Sequence, residues 1–239
     1  MAAFMSMRAA PLADVAHCGL MDKVYRRQRY IYDFTRKYYL FGRDALIRNL
    51  DLKPGQRLVE IGCGTARNLI AIARRYPQAK LYGLDASAQM LETARLRLAK
   101  AGLGGRVRLV HGLAENLSPA AFGEESFDHA LFSYSLSMIP GWRQALAAAG
   151  PALSSQGLVH IVDFCDFHTL AGRKILLAWL GLFHVSPRVE LLAELLAGLE
   201  AEFGEKALVL LPGRYAFLLA LSKGKLGTFA CGSTVTARN

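Results

Sequence analysis

Short apolar runs alternate with segments of helical periodicity through the middle of the chain. The runs predict strands at residues 57–61, 80–84, 106–110, 127–132 and 157–164. Helical segments stand between them at residues 68–76, 87–101 and 142–153. Strands that alternate with helices at this spacing indicate a mostly parallel sheet covered on both faces. Because such crossovers are right-handed, the pattern predicts an α/β protein of restricted topology.

The two ends of the chain follow other patterns. Residues 1–20 are expected to be an alanine-rich leader, and residues 22–50 a helical segment that ends at the turn Lys53-Pro54-Gly55. After the fifth strand, helices are expected at 169–183 and 188–199. Strands at 207–211 and 214–221 meet at Pro212-Gly213, which predicts a hairpin and an antiparallel last strand. The predicted division is a leader and cap over 1–50, a domain over 51–222 and a tail over 223–239.

Composition narrows the class of protein. Of 239 residues, 53% are hydrophobic, yet no apolar run reaches the 18 residues that indicate a membrane span. The net charge of +10 favours an anionic partner, although a general solubility charge explains it equally well. No CxxC pair occurs, so a reducing cytosolic compartment is expected and no metal site is predicted. The four cysteines are Cys18, Cys63, Cys165 and Cys231.

A glycine-rich turn follows the first predicted strand. Its sequence is Glu60-Ile-Gly62-Cys-Gly64-Thr. Ligands of open α/β sheets bind where strands end, and glycines let the backbone approach a ligand closely. Asp85 ends the next predicted strand, where its carboxylate is placed to accept hydrogen bonds from a ribose diol. Arg67 replaces the third glycine of a dinucleotide fingerprint, so the turn suits a nucleoside with a small charged extension that is not a phosphate.

These residues carry a resemblance to a known family. Residues 58–65 together with Asp85 resemble the cofactor site of class I S-adenosylmethionine-dependent methyltransferases, and the similarity extends over about residues 50–222. It implies a Rossmann-like fold with a seven-stranded sheet and S-adenosyl-L-methionine as cofactor. In that family the glycine turn passes under the methionine part, and the acid at the end of the second strand holds the ribose. The cofactor-binding residues implied are Glu60, Gly62, Gly64, Asp85, Ala86, Met90, Leu113, Ala114, Ser133 and Arg43.

One position departs from the family pattern. An acidic residue that faces the adenine amine usually follows the third strand, but this chain has Leu113 there. Adenine recognition is then expected from the backbone of Leu113 and Ala114, or from Glu115, which is equally well explained as a surface charge. Residues 133–138 follow the fourth strand, where the family lines its cofactor and acceptor pockets. Tyr134 is expected to face the site, with packing as the alternative.

A narrower resemblance lies in the basic, aromatic segment at residues 32–44. This segment is similar to the N-terminal part of bacterial enzymes that methylate diacylglyceryl-homoserine to its trimethyl betaine lipid, and residues 160–164 are also similar. The resemblance implies three methyl transfers to an amine and a lipid substrate at the inner face of the plasma membrane. Tyr32 and Tyr134 are expected to hold cationic groups through their ring faces, and Arg43 a carboxylate. His160 is a candidate base, with Asp163 and His111 as alternatives.

Other functions remain open at this level. A C- or O-methyltransferase of a quinone or another apolar small molecule would have the same fold and cofactor site. A nucleic-acid methyltransferase is disfavoured, because the sequence after the fourth strand lacks an Asn/Asp-Pro-Pro-aromatic motif. A non-catalytic binding protein on this fold is the fourth hypothesis. The apolar segment at 170–185 is interpreted either as core or as a membrane-facing helix, and the oligomeric state is not predicted.

Overall fold

The computed structural model describes residues 40–166, 188–198 and 206–223, together with the single positions 174, 177, 178 and 181. Within these residues seven strands form one sheet. The strands are Arg57–Ile61 (β1), Lys80–Asp85 (β2), Val107–His111 (β3), Phe127–Ser133 (β4), Leu153–Phe164 (β5), Lys206–Leu210 (β6) and Ala216–Ser222 (β7). The α-helices described are Arg43–Arg48 (α1), Arg67–Arg75 (α2), Ala88–Lys100 (α3), Trp142–Ala152 (α4) and Leu191–Gly198 (α5).

The order of the strands creates the crevice in which a ligand can bind. Across the sheet the order is β3-β2-β1-β4-β5-β7-β6. β1 pairs in parallel with both β2 and β4, whereas β7 runs antiparallel to β5 and to β6. The chain therefore winds outward from β1 in one direction and from β4 in the other, which leaves a switch point between them. The predicted α/β fold, with a mostly parallel seven-stranded sheet and a reversed last strand, is confirmed.

Two hydrophobic cores cover the two faces of the sheet, because successive side chains of a strand point to opposite sides. Leu58 and Val59 of β1, both fully buried, begin the two cores. The first core includes Leu58, Leu69, Ile72, Leu91 and Leu131, from β1, α2, α3 and β4. The second includes Val59, Ile61, Phe132, Trp142 and Leu195, from β1, β4, α4 and α5. A sheet buried on both faces explains why its strands read as nearly continuous apolar runs.

The element boundaries differ from the sequence prediction in one instructive place. β5 was expected to begin at residue 157, but it begins at Leu153, directly after α4. Leu153 is buried and pairs with Phe127, and an irregularity in the register then brings Leu158 opposite His129. The polar residues at 154–156 concealed this first part of the strand. At α3 the expected N-cap is confirmed, since Ser87 Oγ accepts a hydrogen bond from Met90 N at 3.3 Å.

Several predictions fall on residues outside the described ranges. They concern the leader at 1–20, most of the helical segment at 22–50, the apolar segment at 169–183 and the tail after residue 223. The division into cap, domain and tail stays a prediction. Among the helices that are described, none combines the length and the apolar character needed to cross a bilayer.

Gly83 in β2 provides a test of how tightly the first core is packed. A Cβ atom at this position would lie 2.7 Å from Leu109, 2.8 Å from Cys63 Sγ and 2.9 Å from Leu69. We expect Gly83→Ala to lower the free energy of unfolding by about 1–3 kcal/mol, because three buried side chains would have to move. Urea unfolding followed by circular dichroism measures the change. Gly105→Ala is the control, since nothing lies within 4 Å of a Cβ there; equal stability of the two variants would contradict the packing argument.

Candidate active site

A cleft opens at the carboxyl ends of β1, β2 and β4, beside the switch point. It is lined by residues from the loops that follow these strands and β3. Nine residues predicted from the sequence line it together: Gly62, Gly64, Asp85, Ala86, Met90, Leu113, Ala114, Ser133 and Tyr134. Residues that are up to 72 positions apart in sequence therefore meet in one site, because parallel strands end at the same edge of the sheet.

The glycine turn after β1 requires glycine at residue 62 on two grounds. Gly62 has a φ of 73°, which side chains with a Cβ rarely adopt. A Cβ on it would also lie 2.6 Å from the Cβ of Ser135. The turn is held against β2 by hydrogen bonds from Gly62 N and Cys63 N to Leu84 O, at 2.8 and 3.0 Å. Ser135 supports it from the other side by donating from Oγ to Ile61 O at 2.7 Å.

Asp85 joins the two loops that form the floor of the cleft. Its Oδ2 accepts a hydrogen bond from Gly64 N at 2.7 Å, and its Oδ1 accepts one from Ser87 N at 2.9 Å. These bonds fix the carboxylate at the end of β2, where it lines the cleft. A carboxylate offers about four acceptor sites, which is more than these two bonds use. Its position and chemistry therefore suit a vicinal diol.

A second, polar cavity of about 300 Å³ adjoins the cleft and shares Gly62 and Ser133 with it. Arg43 of α1 and Glu60 of β1 both line this cavity and are buried. Glu60 Oε1 accepts a hydrogen bond from Asn68 Nδ2 at 2.7 Å, whereas Oε2 has no hydrogen-bond partner among the described residues. Burial raises the pKa of Glu60 to about 8, although the bond from Asn68 acts in the opposite direction. The site therefore holds a buried carboxyl oxygen that lacks a donor.

The other end of the cleft is mostly apolar. Met90, Leu113 and Ile139 line it, in keeping with the missing acid at position 113. Glu115 lines the same region and packs closely against Gly141, where a Cβ would lie 2.5 Å from its Oε1. The side chain of Glu115 is thus close to the surface expected for a purine. Its role in adenine recognition stays a prediction.

Tyr134 lines the cleft, but its side chain is used in packing. The residue is almost fully buried, and its hydroxyl donates a hydrogen bond to Phe41 O. Its ring meets Phe164 edge to face at a centroid distance of 4.7 Å. Burial raises the pKa of Tyr134 well above its ordinary value. The structure thus favours the packing alternative for the side chain, and the catalytic assignment of Tyr134 stays a prediction. Tyr32 lies outside the described residues.

His160 is not brought to the cleft. It lies in the middle of β5 and lines a different cavity, between α1 and the β6–β7 pair. Its Nε2 lies 2.9 Å from Nδ1 of His129, and the two rings are stacked. Burial lowers the pKa of both imidazoles, that of His129 to about 4. This placement does not support the predicted catalytic role of His160. The hydrogen bond within the pair accounts for its burial.

Asp163, the alternative base, also makes structural hydrogen bonds in the interior. It is fully buried, and its two carboxylate oxygens accept hydrogen bonds from Ser137 N at 2.9 Å and Phe164 N at 2.8 Å. Burial raises its pKa to about 6. Its evident task is to anchor the loop after β4. Ser135 lies in the segment 133–138 that was predicted to line the pockets, whereas Asn68 was predicted only as the start of a helix and was missed as a site residue.

Comparisons with known proteins find similarity in the central part of the chain. Residues 58–157 match the family model of a methyltransferase domain. Demethylmenaquinone methyltransferase of Geobacillus kaustophilus is 32% identical over 123 residues, which cover 51% of this chain and 50% of the relative. Trans-aconitate 2-methyltransferase of Pseudomonas paraeruginosa is 40% identical over 77 residues, 32% of this chain and 28% of the relative.

Solved structures share the fold of this chain. The S-adenosylmethionine-dependent methyltransferase SibL aligns with a TM-score of 0.61 and 23% identity, over 82% of this chain and 58% of SibL. The pyocyanin biosynthetic protein PhzM aligns with a TM-score of 0.62 and 20% identity, over 83% of this chain and 58% of PhzM. The domain match, together with the shared fold, supports S-adenosylmethionine as the cofactor. The chain spans about half the length of the demethylmenaquinone methyltransferase it matches, so its acceptor is a separate question.

The residues present fit this cofactor. Oε2 of Glu60 has no hydrogen-bond partner among the described residues, and once Glu60 is ionised it would accept a hydrogen bond from the ammonium group of the methionine part. Arg43, buried in the same cavity, is suited to the carboxylate. Asp85 suits the ribose hydroxyls, while Met90 and Leu113 form an apolar surface for the adenine ring. When bound, S-adenosylmethionine supplies an electrophilic methyl group on a sulfonium centre.

Asp85 can be tested by an isosteric substitution. We expect Asp85→Asn to weaken S-adenosylmethionine binding by about 1–3 kcal/mol, because charge-assisted hydrogen bonds to the ribose and to Gly64 N are lost. Isothermal titration calorimetry measures the dissociation constant. Asp51→Asn is a matched control, since Asp51 is exposed and pairs only with Lys53 on the surface in the described structure. Unchanged affinity in Asp85→Asn would refute the ribose contact.

The raised pKa of Glu60 predicts that protons are released when the cofactor binds. With a pKa of about 8, Glu60 is mostly protonated at pH 7, whereas an α-ammonium group is mostly charged there. Pairing favours the carboxylate, so we expect roughly one proton to be released per cofactor bound at pH 7. Calorimetry in buffers of different ionisation enthalpy measures this number. Glu60→Gln should abolish the release, and an equal release in that variant would contradict the assignment.

The raised pKa of Glu60 also predicts how the stability of the unliganded protein changes with pH. The folded state keeps the Glu60 proton up to about pH 8, whereas the unfolded chain loses it near its ordinary pKa of 4.5. The unfolded state therefore binds fewer protons between these values, and the contribution of Glu60 to stability falls as the pH rises through this window. We expect Glu60→Gln to reduce the decline between pH 5 and 8 in urea unfolding. An unchanged pH profile would show that Glu60 is ionised in the unliganded protein.

Proposed function

We propose that the chain transfers a methyl group from S-adenosylmethionine to a carbon or oxygen atom of a quinone or a similar apolar small molecule. The observation that carries this proposal is the similarity of half the chain to demethylmenaquinone methyltransferase. Other demethylmenaquinone methyltransferases from Geobacillus and Bacillus are also similar, at 29–32% identity. They support an acceptor of this class better than the amine of a homoserine lipid, which the sequence analysis favoured.

The form of the cleft is consistent with an apolar acceptor. Beyond the residues assigned to the cofactor, its wall includes Met138 and Ile139, which follow β4. An apolar ring that leaves water for such a surface gains about 25 cal/mol for each Å² buried. Among the described residues that line the cleft, the ionisable side chains are Asp85, Glu115 and Tyr134. Asp85 and Tyr134 are already hydrogen-bonded to backbone groups, so neither is well placed to act as a general base. These two residues support a cleft that aligns the reactants and excludes water.

A second candidate keeps the betaine-lipid hypothesis. Its support is the similarity of residues 32–44 to enzymes that methylate diacylglyceryl-homoserine, together with the place where this segment ends. Phe41 is half exposed and meets Tyr215 edge to face at 5.3 Å, while its carbonyl is bonded to Tyr134 of the cleft. Exposed aromatic rings attract quaternary ammonium groups, which the trimethylated product carries. The lipid would then be bound at a membrane surface, and three transfers would follow one another.

One experiment distinguishes the two acceptors. The full chain is incubated with methyl-deuterated S-adenosylmethionine and either reduced demethylmenaquinone or diacylglyceryl-homoserine in detergent micelles. Mass spectrometry then counts the labelled methyl groups. We expect one labelled methyl on the quinol and none on the lipid, and we expect Asp85→Asn to lose the product while Asp51→Asn keeps it.

The alternative outcomes have equally definite meanings. Successive gains of one, two and three methyl groups on the lipid would replace the quinone proposal by the second candidate. Product on neither acceptor, with cofactor binding intact by calorimetry, would overturn both assignments and leave a methyltransferase domain with another acceptor. Cofactor binding without a methylated product from any acceptor would support the remaining hypothesis of a non-catalytic binding protein, and absence of cofactor binding would contradict the cofactor assignment itself.

A further inference from the structure

A network of four side chains connects the surface of α1 with the buried acid of the cofactor site. Asp44 Oδ1 pairs with Arg67 Nη2 at 2.8 Å, and Arg67 Nη1 donates to Asn68 Oδ1 at 3.2 Å. Asn68 Nδ2 then donates to Glu60 Oε1 at 2.7 Å. Exposure falls along this series, from 65% and 34% for the side chains of Asp44 and Arg67 to 6% and 2% for Asn68 and Glu60. We call these four residues the Asn68 network.

Arg67 determines the direction of the Asn68 amide. A guanidinium group only donates hydrogen bonds, so the oxygen of Asn68 must face Arg67. The NH₂ group of Asn68 then faces Glu60 and donates to its Oε1. The reversed amide would place two donors together on the Arg67 side. Asp44 in turn holds the guanidinium of Arg67 at the start of α2.

The direction of the amide decides how Glu60 meets the cofactor. Oε1 is occupied by Asn68, whereas the buried Oε2 has no partner among the described residues, and Glu60 lines the same cavity as Gly62. We propose that Asn68, oriented by Arg67 and Asp44, positions Glu60 and keeps it ready to bind the ammonium group of S-adenosylmethionine. Asn68, Arg67 and Asp44 are positioning residues in this assignment, because they act on the cofactor through Glu60. The inference rests on the cofactor role proposed for the cavity and not on the identity of the acceptor.

Other charges around Glu60 act together with the network. Arg43 of α1 and Arg67 of α2 favour the carboxylate, whereas Asp85 of β2 opposes it. Burial has the largest effect and raises the pKa of Glu60, whereas the hydrogen bond from Asn68 is the largest of the influences that lower it. The thiol of Cys63, in the glycine turn, is buried nearby, and its pKa is raised by burial and by the two acids, so it stays neutral. Removal of the Asn68 donor is therefore expected to raise the pKa of Glu60.

The experiment titrates Glu60 directly. The full chain is labelled with glutamate carrying ¹³C at the side-chain carboxyl, and the signal of Glu60 is assigned by its loss in Glu60→Gln. We expect Asn68→Leu to raise the pKa of Glu60 by about one pH unit or more. The dissociation constant of S-adenosylmethionine at pH 7, measured by calorimetry, should rise by about tenfold.

Arg67→Lys separates orientation from charge. This substitution keeps the positive charge but removes the planar fork that contacts Asp44 and Asn68 together. We expect a smaller rise in the pKa of Glu60 and a weaker binding of the cofactor in the same direction. Arg74→Lys, at an exposed position of the same helix, is the matched control and should change neither quantity.

The outcomes distinguish the network from the function. A pKa of Glu60 equal to that of the unaltered chain in Asn68→Leu would overturn the positioning role. If that variant does not fold, the same result in Arg67→Lys overturns the orienting part of the proposal. Failure of the unaltered chain to bind S-adenosylmethionine would overturn the proposed function, and the assigned role with it, even where the titrations behave as expected.

Discussion

The candidate site depends on the hydrogen bonds that the carboxylate of Asp85 accepts. They come from Gly64 N in the loop after β1 and from Ser87 N in the loop after β2, so one side chain holds two separate turns together. These turns also share Leu84 O through the hydrogen bonds of Gly62 N and Cys63 N. A rigid floor of this kind aligns a bound molecule without further rearrangement, which is the main contribution a protein makes to a direct transfer reaction.

Around this floor the chain separates polar from apolar binding surfaces. The polar cavity contains Arg43 and Glu60, both buried and of opposite formal charge, and both suited to the amino-acid end of a cofactor. Such groups are costly to bury without partners, and Oε2 of Glu60 has none among the described residues, which supports the ammonium contact proposed for it. The apolar end, with Leu113 and Ile139, provides the hydrophobic surface for rings.

Several side chains that could act in catalysis instead make structural hydrogen bonds in the interior. Tyr134 joins the segment before α1 to the loop after β4 through Phe41 O. Asp163 anchors the same loop, and His160 forms a buried pair with His129 within the sheet. Each of these groups has a hydrogen-bond partner inside the fold. Among the described residues, these three side chains are therefore poor candidates for the acid or base of the proposed methyl transfer.

The sheet, its reversed last strand and the residues at the strand ends follow from the sequence, because apolar periodicity and glycine or proline turns are local signals. The family resemblance then predicted that Gly62, Asp85 and Leu113 share one cleft. Which polar side chains face that cleft depends on tertiary contacts. His160 and Tyr134 differ from Glu60 in their neighbours across strands, not in their local pattern, and a side chain's direction and its hydrogen-bond partners come from residues far away in sequence. For the same reason, the role of Asn68 became visible only when Arg67, Glu60 and α1 were brought together in space.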